Sequence, residues 1–184
     1  LITIRRARPA DAPGIGAVHV ASWRSAYAGV LPDDFLANLS VARQTAYYER
    51  AIRLGLGVHV AALTLPEMPP QPAQGGGRVV GFSTARRNRG GEVAEGEVET
   101  LYVQDDWKEN GLGRMLLRAS AQHLAAMGCK SAFAWVLRDN PSTFFYEHLG
   151  GKRVAMSTTR VGGSDVPQTA YAWDPIERLI NETV

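Results

Sequence analysis

The most constraining stretch of the chain is Leu101-Tyr102-Val103-Gln104-Asp105-Asp106-Trp107-Lys108-Glu109-Asn110-Gly111-Leu112-Gly113-Arg114-Met115-Leu116-Leu117. An apolar, β-rich run enters a turn with two glycines, and the turn opens a helical apolar pattern. That order sets the first turn of a helix at the end of a sheet, which confines the segment to an α/β arrangement. The first helical turn leaves backbone N–H groups without partners, and the helix dipole there favours negative charge. Glycine lets a phosphate approach the backbone closely. Residues 110–114 are therefore a candidate pyrophosphate cradle. Two nucleotide-binding readings fail on spacing. A dinucleotide fingerprint needs a third glycine where Leu116 stands, and a P-loop needs a terminal Gly-Lys-Ser/Thr that is absent here.

The flanking sequence supplies the rest of a sheet. Residues 2–8 alternate and predict a strand with Ile2 and Ile4 inward, stopped by Pro9. Asp11 is placed to cap a helix running to about Tyr27, which Gly29 breaks. Pro32-Asp33-Asp34 opens a further helical stretch to about Leu54, interrupted near Leu39-Ser40. Val58, Val60 and Ala62 predict a strand. Residues 66–77 hold four prolines and three glycines and predict a mobile loop inside the domain. Strands at 79–86 and 96–103 are joined by a turn near Gly90-Gly91. The helix at 111–127 sets Leu112, Met115, Leu116, Ala119 and Met127 inward and Arg114, Arg118 and Gln122 outward, with Gly128 as its stop. A strand follows at 131–137. Asn140 as N-cap with Pro141 behind it starts a helix that ends at Gly150-Gly151. Residues 152–158 and 168–173 form a last antiparallel pair. The sum is a mixed α/β domain around one sheet, occupying 1–184.

Composition closes off other classes. A chain of 184 residues buries roughly 70% of its unfolded surface without metal or disulfide staples. At 45% hydrophobic and 21% charged residues it is not disordered. No run approaches the ~18 apolar residues of a membrane span, and the N-terminus shows no apolar signal segment. Cys129 is the lone cysteine, which favours a cytoplasmic location. The net charge of +2 does not mark a nucleic-acid binder. Charge is unevenly spread: Arg78, Arg86, Arg87 and Arg89 precede an acidic run of Glu92, Glu95, Glu97, Glu99, Asp105, Asp106 and Glu109. Two solvated hairpin faces would explain this, as would an acidic cavity for a cationic substrate. The four histidines share no spacing, and no metal-site pattern is present.

The 97–113 segment resembles the acyl-coenzyme-A motif of the GNAT N-acetyltransferase superfamily. Leu101-Tyr102-Val103 stands as its strand end and Lys108-Glu109-Asn110-Gly111-Leu112-Gly113 as its glycine turn, with Lys where Arg or Gln is usual. Residues 140–151, with Phe145-Tyr146-Glu147 and Leu149-Gly150, are similar to the family's late helix. Residues 22–33, with Trp23, Tyr27, Gly29, Leu31 and Pro32, are similar to the N-terminal helices of one bacterial branch. The resemblance implies a mostly antiparallel mixed sheet, splayed where the coenzyme enters, and direct acetyl transfer from acetyl-coenzyme A to an amine. The implied cofactor contacts are Leu101, Tyr102, Val103, Lys108, Glu109, Asn110, Gly111, Leu112, Gly113, Arg114, Asn140 and Tyr146. Tyr146 is the implied acid for the departing thiolate. Glu97, fourteen residues before Gly111, is the implied base or relay. Glu97 and Glu99, two apart on one strand, share a face in a regular strand, and either could serve. Trp23, Tyr27 and Glu99 are candidate acceptor contacts, with core packing as the alternative for the two aromatics. The implied partners are a small-molecule or peptide amine, with no nucleic acid and no membrane, and a homodimer is compatible. A non-catalytic acyl-coenzyme-A sensor and an interaction domain without coenzyme binding are the rival functions.

Overall fold

A computed structural model describes residues 1–66 and 77–184. In chain order the elements are β1 (Ile2–Arg6), α1 (Ala12–Ala26), α2 (Asp33–Ala37), α3 (Val41–Arg53), β2 (Gly57–Leu63), β3 (Arg78–Arg87), β4 (Gly96–Val103), α4 (Leu112–Ala126), β5 (Ala132–Leu137), α5 (Ser142–His148), β6 (Lys152–Val161), β7 (Ser164–Trp173) and α6 (Glu177–Glu182). The strands form one sheet in the order β1-β2-β3-β4-β5-β7-β6. Neighbours run antiparallel except β4 and β5, which are parallel. That parallel pairing holds only Gly96 against Ala132 and Glu97 against Phe133. Past Glu97 the two strands diverge, so β4 keeps β3 on one side and opens its other edge. The mixed, mostly antiparallel, splayed sheet of the resemblance is the sheet observed.

Apolar stripes place the helices. On one face α4 lays Leu117, Ala121 and Leu124 over Val98 and Ala85, and Leu112 and Leu116 over Ala61 and Val80. On the other, Ile15 and Val18 of α1 and Tyr48 of α3 cover Val58, Val60 and Phe82. Ser40 caps α3 by accepting the Arg43 N–H at 3.2 Å, and Gly128, at φ +90°, turns the chain out of α4. Three expectations need correction. Asp11 does not cap α1; its carboxylate takes two bonds from the Arg5 guanidinium, at 2.8 and 3.0 Å, and the Arg8 N–H at 2.7 Å. With the Arg5 fork on both oxygens and the Arg8 N–H behind it, the carboxylate is turned back toward the preceding turn and away from the first N–H groups of α1. Met115 and Met127 stand outward at 44% and 41% exposure, because α4 turns the Leu117–Leu124 side to the sheet. The last hairpin is longer than expected, and α6 follows Pro175, burying Leu179. The segment expected as a mobile loop falls, at 67–76, outside the described residues.

Candidate active site

The turn before α4 is built to expose backbone N–H groups. Gly111, at φ +74°, is the N-cap of α4, and no side chain caps the helix. Glu109, at φ +69°, is also left-handed, a conformation rare outside glycine. Asn110 pins the turn: its Nδ2 donates to the carbonyls of Trp107 and Lys108, each at 3.2 Å. Lys108 pairs with Asp105 at 2.8 Å, and Ser25 of α1 donates to the same carboxylate at 2.5 Å. Those two bonds hold Asp105 below the usual carboxylate range. Gly113 is informative for what it does not need. Its backbone is not left-handed, and an added Cβ would meet Phe145 at an ordinary 3.6 Å. Neither conformation nor packing within the protein requires glycine there. What a Cβ would fill is the mouth of a cleft of about 610 Å³, bounded by Leu101, Val103, Arg114, Phe145 and Leu149. The predicted cofactor residues Leu101 and Val103 line it, as does the 108–114 run apart from Asn110.

A second cavity, of about 240 Å³, opens on the other side of Leu101. Trp23, Tyr27, Glu99, Trp135 and Tyr146 form its walls. The Trp23 and Tyr27 rings are 4.9 Å apart, and both also pack with Leu31 and Leu36, so cavity lining and core packing coexist. Asn140 ties two elements together: its Oδ1 accepts the Ser142 N–H at the start of α5, and its Nδ2 donates to the Tyr27 hydroxyl, both at 2.8 Å. Tyr102, a predicted cofactor contact, does not line the first cleft. It packs on Phe82 at 5.5 Å and accepts the Trp23 indole N–H at 2.9 Å. Tyr146 is 6% exposed, and burial, reinforced by Tyr27, pushes its phenol well above the usual range. It therefore keeps its proton at neutral pH.

The two glutamates are separated by a fold in the strand. The β3–β4 register passes from Thr84 against Thr100 to Ala85 against Val98, leaving Glu99 as the extra residue of a β-bulge. Gly96 and Val98 face α4 before the bulge, and Leu101 and Val103 face it afterwards. The continuous odd-numbered face from Glu95 through Val103 is thus broken. Glu95 lies outside it as well, accepting the Lys130 N–H at 2.8 Å. Arg86 stands across from Glu97 and sits 3.3 Å from Glu99. Burial, then the charge of Glu99, raises the Glu97 pKa against the pull of Arg86. Burial raises that of Glu99, with Arg86 again opposing. Glu99 lines the cavity of Tyr146, whereas Glu97 lines a neighbouring one of about 600 Å³ beside Leu56, Arg89 and His123. Sequence reasoning missed Trp135, Thr159 and Gln168 on the cavity wall; strand alternation in β5, β6 and β7 was the available signal.

Comparison with known proteins agrees with this arrangement. A sequence profile described as the Acetyltransferase (GNAT) family matches residues 33–151. The chain is 29% identical over 181 residues to the uncharacterized N-acetyltransferase YuaI of Bacillus subtilis (strain 168), covering 97% of this chain and 96% of that one. A GCN5-related N-acetyltransferase structure from Rhodopseudomonas palustris superposes with a TM-score of 0.68 at 19% identity, covering 94% of each chain. The structure of yncA from Salmonella typhimurium with its cofactor acetyl-CoA superposes with a TM-score of 0.66 at 21% identity, covering 95% of this chain and 94% of that one. The profile match spans the strand, the glycine turn and the late helix that build both cavities, and the chain belongs to the GNAT family as an N-acetyltransferase.

Proposed function

We propose that the chain binds acetyl-coenzyme A in the opening between β4 and β5 and transfers the acetyl group directly to a primary amine. The observation that carries this reading is that Leu101 lines both cavities. A group reaching past it from the glycine turn meets the space between Glu99 and Tyr146. When bound, acetyl-coenzyme A supplies an acetyl thioester open to attack by nitrogen. The unpaired N–H groups of residues 111–114 hold the pyrophosphate. The free edge of β4 at Leu101 and Val103 pairs with the pantetheine arm as an added strand would. An alkylamine of pKa near 10.4 costs about 4.6 kcal/mol to deprotonate at pH 7. Glu99 is the base at the cavity, Glu97 relays the proton toward the neighbouring cavity, and Tyr146 holds a proton at Oη for the thiolate. Asn140 positions Tyr27 and α5.

The reading also assigns 1–184 to one catalytic domain acting in the cytoplasm. The Trp23, Tyr27, Gly29, Leu31 and Pro32 pattern supports the bacterial branch that it resembles. A small amine and a protein N-terminus are both acceptors of this chemistry, and a homodimer is compatible with it. Calorimetric titration with acetyl-coenzyme A tests the cradle. Gly113→Ala meets only Phe145 at 3.6 Å and folds. Gly113→Asp sets a carboxylate against the pyrophosphate and lowers affinity at least about tenfold, or about 1.4 kcal/mol. Unchanged affinity in a folded Gly113→Asp protein removes the site.

A further inference from the structure

Charge in the acceptor cavity is one-sided. Among the described residues on its wall, Glu99 is the one that carries a charge at neutral pH. The remainder is aromatic at Trp23, Tyr27 and Trp135 and neutral at Thr159 and Gln168. Arg86 reaches Glu99 at 3.3 Å, but it lines the neighbouring cavity and not this one. An ammonium entering here meets a carboxylate and the faces of aromatic rings, both of which attract a cation. A carboxylate entering here meets no cation, and burying an unpaired charge is expensive.

Size narrows the class further. About 240 Å³ corresponds to roughly eight water volumes. The β6–β7 hairpin supplies Thr159, Val161 and Gln168 to the wall. Its tip rests on α2, where a Cβ on Gly162 would come within 2.8 Å of Phe35. Val161 and Val166 seal it against Tyr27, Leu31 and Leu36.

We propose that the acceptor is a small primary alkylamine without a carboxylate, the kind of molecule left when an amino acid is decarboxylated, bound as its ammonium between Glu99 and the aromatic walls. This rests on the acetyltransferase reading above. The ammonium gives one proton to Glu99, and the freed nitrogen attacks the thioester carbonyl. The C–N bond forms, the C–S bond breaks, and a second nitrogen proton replaces the one that Tyr146 gives to the thiolate. The products are an N-alkylacetamide and the coenzyme thiol, and the proton on Glu99 leaves to water.

The test measures thiol release with matched pairs: 2-phenylethylamine against phenylalanine, 1,5-diaminopentane against lysine, and an unblocked alanine-initiated tripeptide. Each amine is expected to exceed its amino acid by at least about 100-fold in kcat/KM. Glu99→Gln should raise the amine KM at least about tenfold with acetyl-coenzyme A affinity unchanged. Gln168→Arg, which adds a cation to the wall, should narrow the amine-to-amino-acid ratio. Equal or better turnover of the amino acids or the tripeptide overturns the proposal while leaving the acetyltransferase reading intact. Coenzyme binding with no amine acetylated also overturns it. Absence of coenzyme binding by calorimetry sinks the underlying reading and this proposal with it.

Discussion

In the proposed reaction Tyr146 and Glu99 would divide the proton work, because burial acts on them in the same chemical direction with opposite consequences. A buried phenol stays protonated and can donate. A buried carboxyl is a stronger base than an exposed one. Tyr146→Phe keeps the ring packed against Tyr171 at 6.1 Å and Trp173 at 5.9 Å and deletes only the donor. Single-turnover kinetics should show the chemical step falling on the order of 10²–10⁴-fold, with coenzyme affinity unchanged. For Glu99 the sign of the pH effect follows from its surroundings. Its raised pKa puts the acid limb of the rate profile above the ordinary ~4.3 of a glutamate. Glu99→Gln removes that limb. Arg86→Gln removes the cation that opposes the shift and should move the limb further up. A limb that stays put in both variants assigns the base elsewhere. Resemblance made Glu97 legible and strand spacing added Glu99, but neither told which of them reaches the cavity. Glu95, Glu97, Glu99, Leu101 and Val103 read as an unbroken period of two. The extra residue at Glu99 is visible only against the β3 partner.

At the scale of elements, local signals read well and facing surfaces read poorly. The turn at 110–114 was legible because glycine, asparagine and a following apolar period each state a local preference. The inward side of α4 was not, since Met115 and Leu117 both fit a helical period and only the sheet beneath decides between them. The short α6 carried too few residues for a period to show. Close approach between α1 and α3 was equally invisible. A Cβ at Gly16 would lie 2.7 Å from the Thr45 hydroxyl oxygen and 3.0 Å from the Val41 carbonyl oxygen. Gly16→Ala gains up to about 1 kcal/mol of helix propensity. Overpacking costs about 1–3 kcal/mol, and two of the obstructing atoms are backbone, so the clash wins. Urea unfolding should show a lower midpoint with an unchanged slope. A midpoint at or above that of the parent would mean that the two helices separate freely.

For the molecule as a whole, one buried imidazole, His59, and two half-buried ones, His19 and His123, tie acid sensitivity to both layers of the sheet. His59 is 8% exposed, and its Nδ1 finds no hydrogen-bond partner. It sits 5.9 Å from the His123 ring. Burial lowers its pKa to about 4, with Arg6 and His123 adding to the effect. His123 Nδ1 lies 2.9 Å from an Arg6 nitrogen, which can only donate, so His123 is neutral with its proton on Nε2. On the opposite face His19 bonds to the Tyr48 hydroxyl at 2.7 Å, stacks on Trp23, and is lowered by burial to about 4. In each case the unfolded chain takes up the proton first, because its imidazole titrates near 6.5. The stability held at neutral pH is therefore full above about 6.5 and is lost as pH falls from there, toward 4 for His19 and His59, with His123, lowered by burial and then by Arg6, contributing in the same direction. Melting temperature should decline steadily between about pH 7 and pH 5. His59→Leu removes one of the three contributions and keeps the apolar volume under α4, so its decline should be shallower than that of the parent. Because His19 is untouched, some slope must remain. Equal slopes for parent and variant would mean that His59 takes up its proton inside the fold as readily as outside it, and the acid limit of the protein would then lie with its carboxylates.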